Sequence, residues 1–328
     1  MKALVIGANG FLGSHLRDEL IKKLGEENVY KLVRTFLPDQ DLVRNQHACD
    51  FTNYFELNRS RGNILFQKEK EITHIFHCAV YFTPQHNSPD DLLYNEILNM
   101  NIVRFWKEKF PKAKLITFGT DACYSDESKE HYELQYLEGR PNSNYYYYAL
   151  SKRNLYHLVY HYHLHNESLD FIHFPLISLF GPGFKEKDDH LIHAIIRKIY
   201  FAKNNKNYIP TLFGDGLQIR EVTFIDDVVE NIMNLSFIDT KPFGILNLGS
   251  ENKFTIKHYT MLICEIMDYD FQQVIFDQKK TTGLDSKYLD NSRVQDELEI
   301  RGIKFASSDI TTSLKKTIDY FYANVKTL

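Results

Sequence analysis

A glycine turn seven residues into the chain restricts its possible folds more than any other feature. Ala3 to Ile6 is a short apolar run that passes directly into Gly7-Ala-Asn-Gly-Phe-Leu-Gly13, after which Leu16, Leu20 and Leu24 repeat at helical spacing. Strand, tight glycine turn and helix, in that order, form the entry of a dinucleotide-binding βαβ unit. Gly7 permits the sharp reversal, Gly10 lets backbone approach a pyrophosphate, and Gly13 lets the helix lie close on the strand. The helix amides then face the phosphates. Expected cofactor contacts in this turn are Gly7, Asn9, Gly10, Phe11, Leu12 and Gly13. The bland alternative is a purely structural turn.

The chain goes on to alternate strands with helices. Val29 to Val33 reads as a strand ending at Arg34. NAD binders commonly place an acid near this point for the ribose hydroxyl, whereas an arginine can meet the 2′-phosphate of NADP. Arg34 therefore points to NADP, with a surface arginine as the plain alternative. Asp50 and Phe51, after His47-Ala-Cys49, are expected at the adenine edge. A buried run from Thr73 to Val80 carries Cys78 and Ala79, and a polar loop spans Tyr81 to Asp91. A helix with Leu92, Ile97, Ile102 and Phe105 follows, then the strand Lys114 to Phe118, ending in Gly119-Thr120-Asp121-Ala122-Cys123-Tyr124. This alternation predicts an α/β fold with a doubly wound parallel sheet. Ligands on such sheets sit beyond the carboxyl ends of strands, where Gly7–Gly13, Tyr81 and Thr120 are expected to converge.

Asn144 to Lys152 reads Asn-Tyr-Tyr-Tyr-Tyr-Ala-Leu-Ser-Lys, and Leu155, Leu158, Val159 and Tyr162 continue it at helical spacing. Tyr148 and Lys152 are four apart, so a helix puts both on one face, one turn apart. An ammonium near a phenol favours the phenolate, which suits proton exchange near neutral pH. That is the acid/base half of a hydride transfer between an alcohol and a nicotinamide. A packed aromatic helix start beside a solvated lysine is the alternative. His157, His161, His163 and His165 lie along the same helix, the first two at metal-ligand spacing, but with no evident third ligand. No metal is expected.

Later segments read as a strand from Phe171 to Leu179, a Phe180-Gly-Pro-Gly183 turn, a charged loop from Lys185 to Asp189, and a helix from His190 to Lys203. Leu212 to Gly216 is a turn, Arg220 to Asp227 leads into another helix, and Ile245 to Gly249 is one more sheet strand. Two further helices are expected, around Ile256–Met267 and Thr311–Val325. With no repeats and no Pro/Gly linker, the expected division is an interwoven one. Residues 1–180, rejoined by 217–250, form the Rossmann domain; 181–216 and 251–328 form a smaller C-terminal substrate lobe.

The 328 residues carry a net charge of −4, which leaves no basic excess for a general nucleic-acid binder. The four cysteines are scattered without a Cys-x-x-Cys pair, so neither a disulfide frame nor a zinc site is signalled. The start lacks a signal peptide's apolar core, and no apolar run reaches the ~20 residues that span a bilayer. The expectation is a soluble, cytoplasmic protein with no membrane partner.

The glycine turn, Thr120 after a central strand, and Tyr148 with Lys152 on a helix together resemble the extended short-chain dehydrogenase/reductases, the NAD-dependent epimerase/dehydratase family. The resemblance covers nearly the whole chain. It implies NAD(P)(H) bound also by Arg34, Asp50, Phe51, Cys78, Ala79, Tyr148 and Lys152, and a catalytic set of Thr120, Tyr148 and Lys152. Within the family the likeness is nearest to GDP-L-fucose synthases, carried by His190–Lys198, Gly214–Glu221 and Phe276–Asp290. It implies a nucleotide-sugar substrate, with GDP favoured, contacted by Tyr81, Asp121, Ser178, His190, Lys198, Phe213, Arg220 and Lys287. It also implies a homodimer through the helices of Ile97–Phe105 and Tyr148–Tyr162.

Departures from the family pattern narrow the chemistry. Fucose synthases pair a cysteine with a histidine for epimerisation; His190 matches the histidine, but Ala122 stands at the cysteine position. Cys123, one residue later, is expected to point away on an extended strand. Sugar-nucleotide 4,6-dehydratases carry Thr-Asp-Glu here, and Ala122 again removes the third group. Ser178 replaces an asparagine. The expected activity is simple hydride transfer at C4 of a GDP-linked hexose or heptose, in either direction. The alternatives are a fucose-synthase-like epimerase/reductase retaining His190, and a non-catalytic NAD(P)-binding sensor.

Overall fold

The computed structural model of the chain describes residues 1–34, 45–54, 56, 71–83, 87–127, 129–184, 190–238, 244–279 and 286–325. The expected charged loop 185–189 and part of the segment 276–290 lie outside the described residues. The chain forms two compact units. The first comprises Met1–Ser125, Glu133–Pro175 and Asn231–Asn247; the second comprises Asp126–Tyr132, Leu176–Glu230 and Leu248–Leu328. Among the described residues, no helix is long and apolar enough to cross a membrane.

The first unit is built on a seven-stranded sheet. Its strands in chain order are β1 (Lys2–Ile6), β2 (Val29–Val33), β3 (Gln46–Ala48), β4 (Ile72–His77), β5 (Lys114–Thr120), β6 (Phe171–Leu176) and β7 (Gly244–Ile245). In space they lie β7-β6-β5-β4-β1-β2-β3. β1 pairs parallel with β2, Ala3 opposite Val29, and with β4, Val5 opposite Phe76. β2 is buried along its whole length, as a parallel strand covered on both faces must be. Helices α1 (Phe11–Leu24), α2 (Pro89–Lys109) and α3 (Tyr146–His165) belong to this unit. Ser88 starts α2 through a capping box with Asp91, and Pro89 occupies the first turn, where its missing N–H costs nothing. Trp106, Phe105 and Ile102 of α2 and Leu155 and Val159 of α3 share one apolar core with Leu4, Ile75 and Leu115 of the sheet. The strand order reverses between β1 and β4, so the ligand crevice lies past their carboxyl ends.

The expected strand Phe171–Leu179 is interrupted. β6 stops at Leu176, and Ser178 takes φ +38°, a left-handed conformation no continuous strand tolerates. Leu179–Phe180 instead pairs parallel with Thr223–Phe224 in the second unit.

The second unit holds α4 (Leu191–Asn204), the start of α5 (Ile225–Ser236), α6 (Ile256–Ile266), α7 (Ser292–Glu299) and α8 (Ile310–Asn324). α7 was not expected. Its sequence, SRVQDELE, offers only Val294 and Leu298 as buried residues, too few to register as a periodic apolar face. A four-stranded sheet here has the order Lys253–Thr255, Ile219–Glu221, Ser286–Leu289, Glu130–His131.

Candidate active site

The glycine turn forms a close-packed cradle. Gly7 has φ +85°, and a Cβ there would lie 2.7 Å from the Ala79 amide nitrogen. A Cβ on Gly13 would collide with the Gly7 carbonyl, so the first turn of α1 rests on the loop backbone. The Gly7 N–H donates to Leu32 O (2.8 Å) and the Cys78 N–H to Ile6 O (2.9 Å), which ties the exits of β1, β2 and β4 together. No side chain caps the amides of α1 and no acid occupies its first turn. A helix N-terminus with no acid in its first turn, beside a glycine cradle, suits a pyrophosphate, so the residues fit a dinucleotide. Asn9, Phe11 and Leu12 are half-buried in this turn, and Ala79 is buried against Gly7.

Arg34 is exposed at the end of β2. Asp50, also exposed, accepts from Thr52 N (2.9 Å) and Thr52 Oγ1 (2.7 Å) while its own N–H donates to Glu56 Oε2 (3.1 Å). Phe51 is buried, and its carbonyl accepts from Asn101 Nδ2 (3.1 Å).

Tyr148 lies in the first turn of α3 and Lys152 one turn on, its ammonium 5.6 Å from the centre of the Tyr148 ring. Lys152 is almost wholly buried. The expected influence of this lysine on the phenol is joined here by the burial of both groups. Burial pushes the Tyr148 hydroxyl well above its usual range, and the nearby Cys123 thiol and Asp121 carboxylate add to the rise. Burial also pulls the Lys152 ammonium down to about 8, against the opposing influence of Cys123 and Cys78. Burial thus disfavours the charged form of each partner, the phenolate and the ammonium alike.

Thr120 ends β5, and its hydroxyl accepts from Ala122 N (3.2 Å) and donates to Asp121 Oδ1 (3.1 Å). Asp121–Cys123 is a 3-10 turn and not an extended segment, which corrects the reason given for Cys123's direction. Cys123 is nevertheless fully buried, its thiol donating to Ala149 O (3.4 Å). Ala122 is buried and offers only a methyl group. The Tyr81 backbone exchanges hydrogen bonds with Asn95, and its ring packs on Tyr94, centroids 4.7 Å apart. The ring against Tyr148 is that of Phe82, 4.7 Å away and largely exposed. Sequence reading missed Phe82, since an aromatic in a polar loop carries no spacing signal.

In the second unit, Arg220 and Lys287 are directly opposite each other on parallel neighbouring strands, so both side chains leave one face of the sheet. Two adjacent cations on one face suit a diphosphate. Lys198 donates to Thr211 O (2.6 Å) and lies 5.5 Å from the exposed Phe213 ring. His190 is exposed at the N-cap of α4. The half-buried Ser178 accepts at its carbonyl from Thr223 N (3.1 Å). Sequence reading also missed Glu221. Its buried carboxylate accepts from the Ser250 N–H and from Leu289 N (2.6 Å), clamping the strand of Arg220 to that of Lys287.

The fold and the Tyr148/Lys152 pair define an NAD(P)-dependent oxidoreductase of the extended short-chain dehydrogenase type. Residues 3–249 match the family model described as the NAD dependent epimerase/dehydratase family, and the chain belongs to that family. It is 24% identical over 333 residues to a GDP-L-colitose synthase of Yersinia pseudotuberculosis, covering 98% of each chain. In structure it resembles a GDP-L-fucose synthetase of Naegleria fowleri bound to NADP, with a TM-score of 0.78 at 21% identity, covering 98% of this chain and 94% of that one. It also resembles a Thermus thermophilus UDP-glucose 4-epimerase in complex with NAD, with a TM-score of 0.77 at 18% identity, covering 99% and 100%.

Proposed function

We propose that this protein reduces a 4-keto sugar linked to GDP, delivering hydride to C4 and a proton to the C4 oxygen, without inverting C3 or C5. The observation that carries this reading is the Lys152 ammonium 5.6 Å from the centre of the Tyr148 ring, with a methyl group and no second acid or base at Ala122. A bound reduced nicotinamide supplies the hydride. The Tyr148 hydroxyl gives its proton to the ketone oxygen as the C–H bond forms, and the Lys152 ammonium stabilises the phenolate left behind. Thr120, once its hydroxyl proton turns from Asp121 Oδ1, donates to the same oxygen and fixes its aim. Proton donation of this kind contributes roughly 10²–10⁴-fold. Arg220 and Lys287 hold the diphosphate. The GDP assignment is supported by the colitose synthase and fucose synthetase among the relatives. Use of NADP(H) rests on Arg34.

Epimerisation needs one group to remove a proton beside the ketone and another to return it on the opposite face. His190 can serve as one, but Ala122 cannot be the other, and the Cys123 thiol is engaged with Ala149 O. Incubating a 4-keto GDP-sugar and NADPH with the protein in D₂O, and following C3 and C5 by NMR, tests the reading. Alcohol should form with hydrogen retained at both carbons. Enzyme-dependent deuterium at both would restore the fucose-synthase type of mechanism.

A further inference from the structure

Beneath the Tyr148 site, the first unit holds a line of buried polar side chains that the proposed reaction does not use. Thr117 on β5 is fully buried, its hydroxyl 2.8 Å from His173 Nδ1 on β6. The other ring nitrogen, Nε2, is 2.9 Å from the Tyr136 hydroxyl. The Tyr136 ring packs edge-on against Tyr156 of α3, centroids 5.7 Å apart, and the Cys123 thiol donates separately to Ala149 O at 3.4 Å. The line therefore starts on the strand that ends in Thr120 and reaches the helix of Tyr148 through the Tyr136 ring. Arg153, the residue after Lys152, donates to Cys123 O (2.9 Å) and Gly139 O (2.8 Å), gripping the same turn from the other side. Space for it exists because residue 119 is glycine: a Cβ there would collide with the Tyr136 hydroxyl and fall 2.6 Å from His173 Nε2. Thr117, His173 and Tyr136 are closed to solvent, where an unmade hydrogen bond costs more than a made one gains.

We infer that Tyr136 and His173 are positioning residues, which hold the Thr120 turn and the first turn of α3 in the mutual alignment that proton delivery by Tyr148 requires. The inference rests on the hydride-transfer reading for its kinetic arm only. Tyr136→Phe removes one oxygen and leaves the ring. With a 4-keto GDP-sugar and NADPH followed at 340 nm, kcat should fall about tenfold while KM and NADPH affinity, read by cofactor fluorescence, stay within twofold. Misalignment of a bound reactant costs rate rather than binding. Combining Tyr136→Phe with Thr120→Val should be non-additive, since both act on one alignment. His173→Gln, which keeps a donor and an acceptor, should recover part of the rate lost in His173→Leu.

Hydrogen exchange supplies an arm independent of substrate. Peptides spanning 120–125 and 145–155 should exchange several-fold faster in Tyr136→Phe, with the glycine turn unchanged. Unaltered exchange in those two peptides, or a folded variant with kcat within twofold of the parent, would overturn the inference. A parent that consumes no NADPH with any such sugar counts against the proposed function, and the exchange result then decides the network alone.

Discussion

The neighbourhoods of Tyr148 and Arg220 bury ionisable groups differently. Around Tyr148 the first unit seals histidines: His77 and His173 are fully buried, and burial, with the nearby Lys152 charge, drives His77 down to about 3 and His173 well below its usual range. Each has an uncharged partner, Asn99 Oδ1 (2.9 Å) for His77, and Thr117 and Tyr136 for His173. The second unit, which also buries His131 and His193, buries an acid beside Arg220. Burial pushes Glu221 up to about 7, against the pull of two backbone N–H donors and Asn291. The contrast follows from the work proposed for each. Around a site that moves a proton at one oxygen, His77 and His173 are kept from charging, and Lys152, drawn down to about 8, is the exception. A sheet that presents Arg220 and Lys287 needs only a clamp between strands, and a carboxylate accepting from both supplies it.

Tyr148→Phe tests the first half of the contrast most severely. If Tyr148 is the one proton donor at this site, turnover should fall roughly 10²–10⁴-fold, with NADPH affinity within twofold by fluorescence titration. Activity within tenfold of the parent would mean that another group donates. Arg220→Ala probes the second unit, where binding and not chemistry is expected. KM for the nucleotide sugar should rise about 10–100-fold with kcat changed less than about threefold, because a diphosphate is held alike in ground and transition states. A loss confined to kcat would break the division of labour.

Stability against pH sharpens the contrast, because the signs differ. Glu221 titrates near 7 in the fold against an ordinary 4.5, so its contribution is fully present below about 4.5 and is lost as pH rises through 7. The buried histidines contribute fully above about 6.5 and lose that contribution as pH falls toward the folded value, about 3 for His77. Urea unfolding of the parent and of Glu221→Gln should show a stability gap that shifts against the parent by roughly 1–2 kcal/mol between pH 5 and pH 8. For His173→Gln the gap should shift in the parent's favour as pH rises from 4 to 7. Shifts of the same sign would erase the distinction. The smallest effect is expected at Arg34, which lies outside both buried clusters. Arg34→Ala should weaken NADPH about fivefold and leave NADH within twofold; equal affinities before and after would identify an ordinary surface arginine.

What was legible in the sequence was local. Gly7, Gly10 and Gly13 fall within seven residues, and Tyr148 and Lys152 within one helical turn, so chain geometry alone places them. The alternation of apolar runs gave the sheet in the same way, because buried parallel strands and covering helices leave different periods. What stayed hidden was assembled across distance. His173 meets Tyr136 across 37 residues and Thr117 across 56, and none of the three sits in a recognisable pattern. Glu221 reads as one more acid beside an arginine until its partners at Ser250 and Leu289 are seen. The rise of the Tyr148 hydroxyl is likewise a property of burial, which spacing does not report. Ser178 misled in the other direction: an apolar run promised a continuous strand, and one left-handed residue ended it.

The glycine at 119 has a consequence for how this chain can change over generations. Its absent side chain is a volume already occupied by the hydroxyl of Tyr136 and the ring of His173. Positions 119, 136 and 173 therefore share one space and cannot drift independently. A larger residue at 119 becomes admissible only in a lineage that has first shrunk the tyrosine or the histidine. Among relatives of this protein, bulk at these three places should trade in compensating steps, with the summed volume held nearly constant while each identity varies.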